Sequence, residues 1–212
     1  MKVNKFTLIL ISAFTVGILY ALGKSPKKFN PLGKKAVFVG DSHTAGYGWG
    51  WQDSLAKKYG FTIQQNLSKG GLRTDQLLPI LEKYLKETKS TPDILFIYAG
   101  ANDNFSLVQN QKATENIQKM VGAGRDAGID NIYVISGYRS SKVIYDLKRY
   151  GDYIQKSDAF KEGLSKNIKK AVVVPIWEEA DFKMSTDSLH LIQSAQTKFA
   201  DYIVTQIFKN TK

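Results

Sequence analysis

Residues 36–46 read A-V-F-V-G-D-S-H-T-A-G, a short apolar run that stops at Gly-Asp-Ser. Val37, Phe38 and Val39 are β-branched or aromatic, and an apolar run without polar alternation suits a central parallel strand covered on both faces. Gly40 lets the backbone turn. Asp41, Ser42 and Thr44 are helix-capping residue types, so the stretch predicts a strand ending where a helix begins. Ser42 would sit at that junction, beside backbone N–H groups that have no helical partner. Such a junction suits a developing oxyanion. Gly, Asp and Ser are also ordinary turn formers, and the triplet alone would be no more than a turn.

Working outward, apolar strand-like runs recur at Ala36–Val39, Phe61–Gln65, Ile94–Ala99, Ile132–Ser136 and Ala171–Ile176. Helix-length stretches lie between and after them, near Gly50–Lys58, Thr74–Glu87, Lys112–Ala127, Val143–Asn167 and Ile192–Lys209. From Thr74 the apolar positions Leu77, Leu78, Leu81 and Leu85 form one stripe along a helix. The alternation predicts an α/β domain whose five-stranded parallel sheet carries helices on both faces. In open sheets of this kind the site forms at the carboxyl ends of the strands.

The residues just beyond each strand are therefore informative. Gly40-Asp41-Ser42 comes after the first, and Asn66-Leu67-Ser68-Lys69-Gly70-Gly71 after the second. Gly100-Ala101-Asn102-Asp103 comes after the third, and Asp187-Ser188-Leu189-His190 precedes the last helix. Each block could be a turn or a cap by itself. In this order, from about Ala36 to the end of the chain, the four resemble the blocks of the SGNH (GDSL) hydrolase superfamily. The resemblance implies Ser42 as nucleophile and Asp187 and His190 as acid and histidine. Ser42, Gly71 and Asn102 would form the oxyanion hole, with Gly70 a close rival to Gly71. It also implies a three-layer α/β/α flavodoxin-like sandwich and no cofactor. His43 departs from the leucine that many members carry there.

The chemistry of these residues supports the same roles without the family name. A serine hydroxyl attacks only when a base takes its proton, and an imidazole with an ordinary pKa near 6.5 suits that task. Only His43 and His190 are available. Asp187, three residues before His190, can accept from one ring nitrogen and leave the other for Ser42. His43 has no comparable carboxylate and is adjacent to Ser42 in the chain, so it is assigned to lining or structure. Tyr47, Trp49 and Trp51 come soon after the nucleophile and either wall a pocket or pack a helix. Phe105, Tyr138 and Arg139 lie beyond the third and fourth strands, so they are further candidates for the substrate rim.

The 212 residues, 43% of them hydrophobic, suffice for one well-buried domain and are short for two. Absence of cysteine removes disulfides, thiolate nucleophiles and Cys-ligated metals, and two histidines are too few for a His-rich metal site; no metal is expected. The formal charge of +11 is carried mostly by dispersed lysines. No zinc-finger, RNP or arginine-rich element accompanies it, which argues against specific nucleic-acid recognition. G-D-S-H-T-A-G-Y-G is not the dinucleotide fingerprint, Asn66 ends the second strand where an acid would be needed, and no Walker motif is present.

Phe6–Gly23 are eighteen uncharged, mostly apolar positions after Lys2 and Lys5. They read as an N-terminal hydrophobic helix, a signal anchor or cleavable signal peptide over residues 1–23. A linker, residues 24–35, leads to the hydrolase domain, residues 36–212. Lys24, Lys27, Lys28, Lys34 and Lys35 oppose export by the positive-inside rule. The expectation is nevertheless a membrane-anchored or secreted enzyme whose catalytic domain is extracytoplasmic. The expected activity is serine-dependent ester hydrolysis, with an O-acyl group on an envelope or surface glycan as substrate. Lysophospholipase or lipid-esterase activity, acyl transfer by the same triad, and a non-enzymatic glycan-binding module are the alternatives.

Overall fold

The computed structural model describes residues 30–45, 50–105, 110–136, 153–176 and 190–210. The hydrophobic segment at 6–23 and the first part of the helix expected over Val143–Asn167 lie outside these. Among the described residues no helix is long and apolar enough to cross a membrane.

Five strands, β1 (Lys35–Gly40), β2 (Thr62–Asn66), β3 (Ile94–Tyr98), β4 (Asn131–Ser136) and β5 (Val172–Pro175), form one parallel sheet in the order β2-β1-β3-β4-β5. Every strand points the same way because a helix carries the chain back after each. The order is that of flavodoxin-like folds, and the chain switches direction between β1 and β3, where a crevice opens at the carboxyl ends. The expected longer helices are α2 (Trp51–Tyr59), α3 (Thr74–Glu87), α5 (Asn110–Asp126), α6 (Tyr153–Asn167) and α7 (Gln193–Asn210). Two short ones are additional, α1 (Ser42–Ala45) and α4 (Ala101–Phe105). At four and five residues they complete little more than one turn, too little for any periodicity in the sequence.

Successive residues of β1 enter opposite cores. Phe38 packs with Trp51, Leu55, Phe96 and Phe199 under α2 and α7, whereas Val37 and Val39 pack with Leu77, Leu81 and Ile117 under α3 and α5. The sheet is therefore covered on both faces, as the unbroken apolar run required. Register places Phe38 opposite Phe96, and Phe96 opposite Tyr133. Their rings stack across the sheet at 4.8 and 5.3 Å between centroids. Truncating a ring buried this fully, such as Phe96, costs about 3–5 kcal/mol.

The first long helix of the domain and the last are clasped together. The Trp51 N–H donates to Oε1 of Gln196 at 3.1 Å, Ser54 and Thr197 share a hydroxyl contact at 3.3 Å, and Lys58 pairs with Asp201 at 2.7 Å. The ion pair is exposed and contributes little. Burial does more, since the Trp51 indole meets the Phe199 ring edge-on at 5.7 Å and is itself fully enclosed. Of the two readings open for Trp51, helix packing is therefore the one observed.

Candidate active site

The crevice is built first by two glycines. A Cβ on Gly40 would collide with the Tyr98 carbonyl and lie 2.6 Å from Oγ1 of Thr44, so only glycine lets β1 turn into α1 beside β3. Gly100 has φ +118°, and a Cβ there would strike the Phe160 ring. These positions let the chain leave β1 and β3 side by side. Ser42 begins α1, immediately beyond the β1 edge.

His190 reaches Ser42 from the other end of the domain, just before α7. Its Nε2 lies 2.7 Å from Oγ of Ser42, and both residues are half-buried. With Nε2 turned to the hydroxyl, Nδ1 is the nitrogen left for a carboxylate. Asp187, expected in that place, lies outside the described residues. The His43 ring stands 5.1 Å from the His190 ring and 5.6 Å from Tyr98, centroid to centroid. Its main chain is held as well, its N–H donating to Asp41 and its carbonyl accepting from the Trp51 indole. His43 thus packs against the base while Ser42 bonds to His190.

Asp41 is a site residue that the sequence marked only as a capping type. Its carboxylate is buried, with Oδ1 accepting from the His43 N–H at 3.1 Å and Oδ2 from the Ala101 N–H at 3.2 Å. It therefore ties the turn leading to Ser42 to the start of α4, which carries Asn102. Burial raises its pKa to about 6, against the opposing pull of those two N–H donors.

Asn102 is oriented by a hydrogen bond from Nδ2 to the Leu72 carbonyl at 2.9 Å. An amide nitrogen carries two hydrogens, so one remains to donate elsewhere. Leu72 directly follows the glycine pair. A Cβ built on Gly70 would lie 3.7 Å from Cβ of Ser42, whereas one on Gly71 would meet nothing within 4 Å. Spacing from Asn66 selects Gly71, but Gly70 is the one whose α-carbon faces the serine. Gly71, at φ +80°, supplies the left-handed turn that brings it there.

Beneath this edge Asp103 is fully buried and accepts from Oγ1 of Thr74 at 2.7 Å and from the Thr74 N–H at 3.0 Å. Asn116 donates in turn to Thr74 at 3.1 Å. Burial raises the Asp103 pKa, opposed chiefly by the Thr74 hydroxyl. The cluster anchors α4, and with it Asn102, to α3 and α5. Nothing in the sequence distinguishes this aspartate from a turn former. The structure thus brings together Ser42, His190, the glycine pair and the Asn102 loop. The expected rim residues Tyr47, Trp49, Tyr138 and Arg139 lie outside the described residues; Phe105 ends α4, its side chain likewise outside them.

The arrangement has close relatives in fold. The psychrotrophic esterase EstA from Pseudoalteromonas sp. superposes with a TM-score of 0.65 and 22% identity, over 83% of this chain and 97% of its own. For TesA the TM-score is 0.64 and the identity 20%, over 82% of this chain and 98% of that one. A family 3 carbohydrate esterase from Clostridium thermocellum gives 0.56 and 20%, over 84% and 94%. No curated protein matches the sequence. Residues 38–193 match the model of the GDSL-like Lipase/Acylhydrolase family, and the match takes in the Ser42 turn, the glycine pair, Asn102 and His190. That span is well over half of the chain, which therefore belongs to the GDSL-like lipase/acylhydrolase family, the SGNH hydrolases.

Proposed function

We propose that this SGNH-type esterase removes O-acyl groups, acetyl foremost, from a glycan of the cell envelope or surface. The observation that carries the chemistry is the 2.7 Å contact between Ser42 and His190 at the switch-point edge. His190 Nε2 takes the hydroxyl proton as Oγ attacks the ester carbonyl carbon. Negative charge moves onto the carbonyl oxygen, where the N–H groups of Ser42 and of the Gly70–Gly71 turn and the Asn102 amide receive it. The C–O bond then breaks, and the imidazolium gives its proton to the departing alkoxide. Water enters, His190 deprotonates it, and the acyl group leaves as the acid, restoring the serine. Asp187 is assigned the role of accepting from Nδ1, which would hold the tautomer and stabilise the imidazolium.

Two observations support a glycan ester. One structural neighbour is a carbohydrate esterase. The apolar segment at 6–23 would place the domain at the envelope, membrane-anchored or secreted, with its site outside the cytoplasm. A panel of chromogenic esters of graded acyl length tests the reading. Turnover should be greatest for acetyl. A steady rise with chain length would indicate a lipid substrate instead, and acyl transfer outrunning hydrolysis when an alcohol is added would indicate a transferase.

A further inference from the structure

The strands being parallel and every crossover helical, the C-termini of the crossover helices α2, α3, α5 and α6 and all strand starts share one edge of the domain, opposite Ser42. That edge is strongly basic. Helix α2 ends on Lys57 and Lys58, and α3 on Lys86, with Lys89 in the loop beyond. Arg125 closes α5 and Lys166 closes α6, followed by Lys169 and Lys170. The chain itself enters here through Lys34 and Lys35. Against these stand six acidic residues, Glu87, Asp93, Asp126 and Asp130, with Asp201 and Glu162 reaching the edge to pair with Lys58 and Lys166 as Asp93 pairs with Lys34. At the opposite edge the described helix starts and loops carry Lys69, Arg73 and Lys112 beside Asp53 and Asp75, with Asp41 and Asp103 buried beneath, so the described residues there show no comparable basic excess.

Lysines in a last helical turn complement the helix dipole and need no other cause. That account does not reach Lys35, Lys89, Lys169 and Lys170, which lie outside the helices; Lys34, also outside them, pairs with Asp93. A second feature shares this edge. Leu32 is 71% exposed, the one large hydrophobic side chain exposed among the described residues, and it sits over Gly60 at the end of α2.

We propose that this edge docks on an anionic lipid surface, the lysines over the headgroups and Leu32 among them. A basic rim around an apolar side chain fits a bilayer, which offers negative charge and an apolar layer together. A soluble polyanion would leave Leu32 in water. The chain reaching this edge brings the apolar residues 6–23 through a linker that extends at most about 40 Å, close enough for the rim to meet the headgroups. Docked so, Ser42 faces away from the bilayer across the full length of β1, roughly 20 Å. The inference does not depend on which ester is cleaved.

The chain contains no cysteine, so a single one can carry a fluorophore without a competing label. Full-length Lys89→Cys, and Lys112→Cys at the opposite edge, would be labelled and reconstituted in phosphatidylcholine vesicles with or without phosphatidylglycerol, with a nitroxide on the headgroups as quencher. The label at 89 should be quenched strongly with phosphatidylglycerol and weakly without it or in high salt, and the label at 112 weakly throughout. Adding Lys86→Gln and Lys170→Gln should lower the ratio of docked to undocked domain by about fivefold for each charge, with circular dichroism unchanged. Equal quenching with and without phosphatidylglycerol would reduce the contact to a tether and overturn the proposal. So would equal quenching at 89 and 112, or binding to soluble polyglutamate with vesicles leaving the label at 89 unquenched.

Discussion

Nε2 of His190 and Oγ of Ser42 meet at 2.7 Å although 148 positions separate them in the chain. In the mechanism proposed above, one proton passing between those atoms is the function of both residues. Ser42→Ala and His190→Ala should therefore each lower turnover by about 10⁴- to 10⁶-fold, and the double variant should be scarcely worse than either. Asp187→Ala should cost less. Single-turnover rates on one small ester, with circular dichroism to confirm folding, test this. A double variant that loses the product of the two single effects would show that the residues act separately.

His43 lies against the base, its ring 5.1 Å from that of His190, without holding the serine proton. His43→Ala should keep turnover of a small ester within about tenfold of the parent, no more than roughly 1.4 kcal/mol in the barrier. A folded His43→Ala as inactive as Ser42→Ala, beside a His190→Ala that still turns over, would exchange the two assignments.

Asn102 spends one amide hydrogen on the Leu72 carbonyl, which fixes the direction of the other. Its loss should remove one oxyanion donor. Asn102→Ala is expected to lower kcat by about 10²- to 10³-fold, with the urea midpoint shifted only slightly. An unchanged rate on an ester with a poor leaving group would take Asn102 out of the oxyanion site.

The two adjacent glycines should respond differently to the same methyl group. Gly71→Ala places a side chain at φ +80° and should destabilise the fold by about 1 kcal/mol or more, whatever it does to turnover. Gly70→Ala meets Ser42 only at ordinary contact distance, so stability should hold while substrate is crowded beside the nucleophile. Thermal melts paired with kcat/KM separate these outcomes. Full activity in Gly70→Ala would return the inward role to Gly71.

The Asp41 carboxyl titrates near 3.8 when unfolded and about 6 when folded. Between those values the native state holds a proton that the unfolded chain has lost. Its stabilising contribution is therefore full below about pH 4 and is lost as pH rises through about 6. Asparagine has no such titration. The unfolding free energy of the parent minus that of Asp41→Asn should fall by about 2 kcal/mol from pH 4 to pH 7. Urea titrations across that range check the sign, and a flat difference would mean that the buried carboxyl is not perturbed.

The sheet is readable because its strands are buried on both faces and so remain apolar without interruption, as in Val37-Phe38-Val39. Ser42, His190 and Asn102 are readable because their side-chain chemistry is scarce or sits just beyond a strand end. Gly70 and Gly71 are harder to separate. Identical neighbours differ only in φ and in which way the α-carbon faces, and spacing does not encode either. Asp41 and Asp103 escape for another reason. An aspartate after a strand looks the same whether it caps a turn in water or bridges two loops in the interior, because its role depends on donors brought from elsewhere, Ala101 and Thr74.

The clasp of α2 on α7 has a consequence for when the enzyme becomes active. Ser42 lies just beyond the first strand of the sheet, but the helix beside His190 is the last of the described elements, and it docks through Gln196, Thr197 and Phe199 onto Trp51 and Ser54. A nascent chain with most of its sheet already formed would still lack its general base. With His190 as the proposed base, ester hydrolysis begins only after α7 has docked on α2, so a chain truncated before α7 should be inert towards esters.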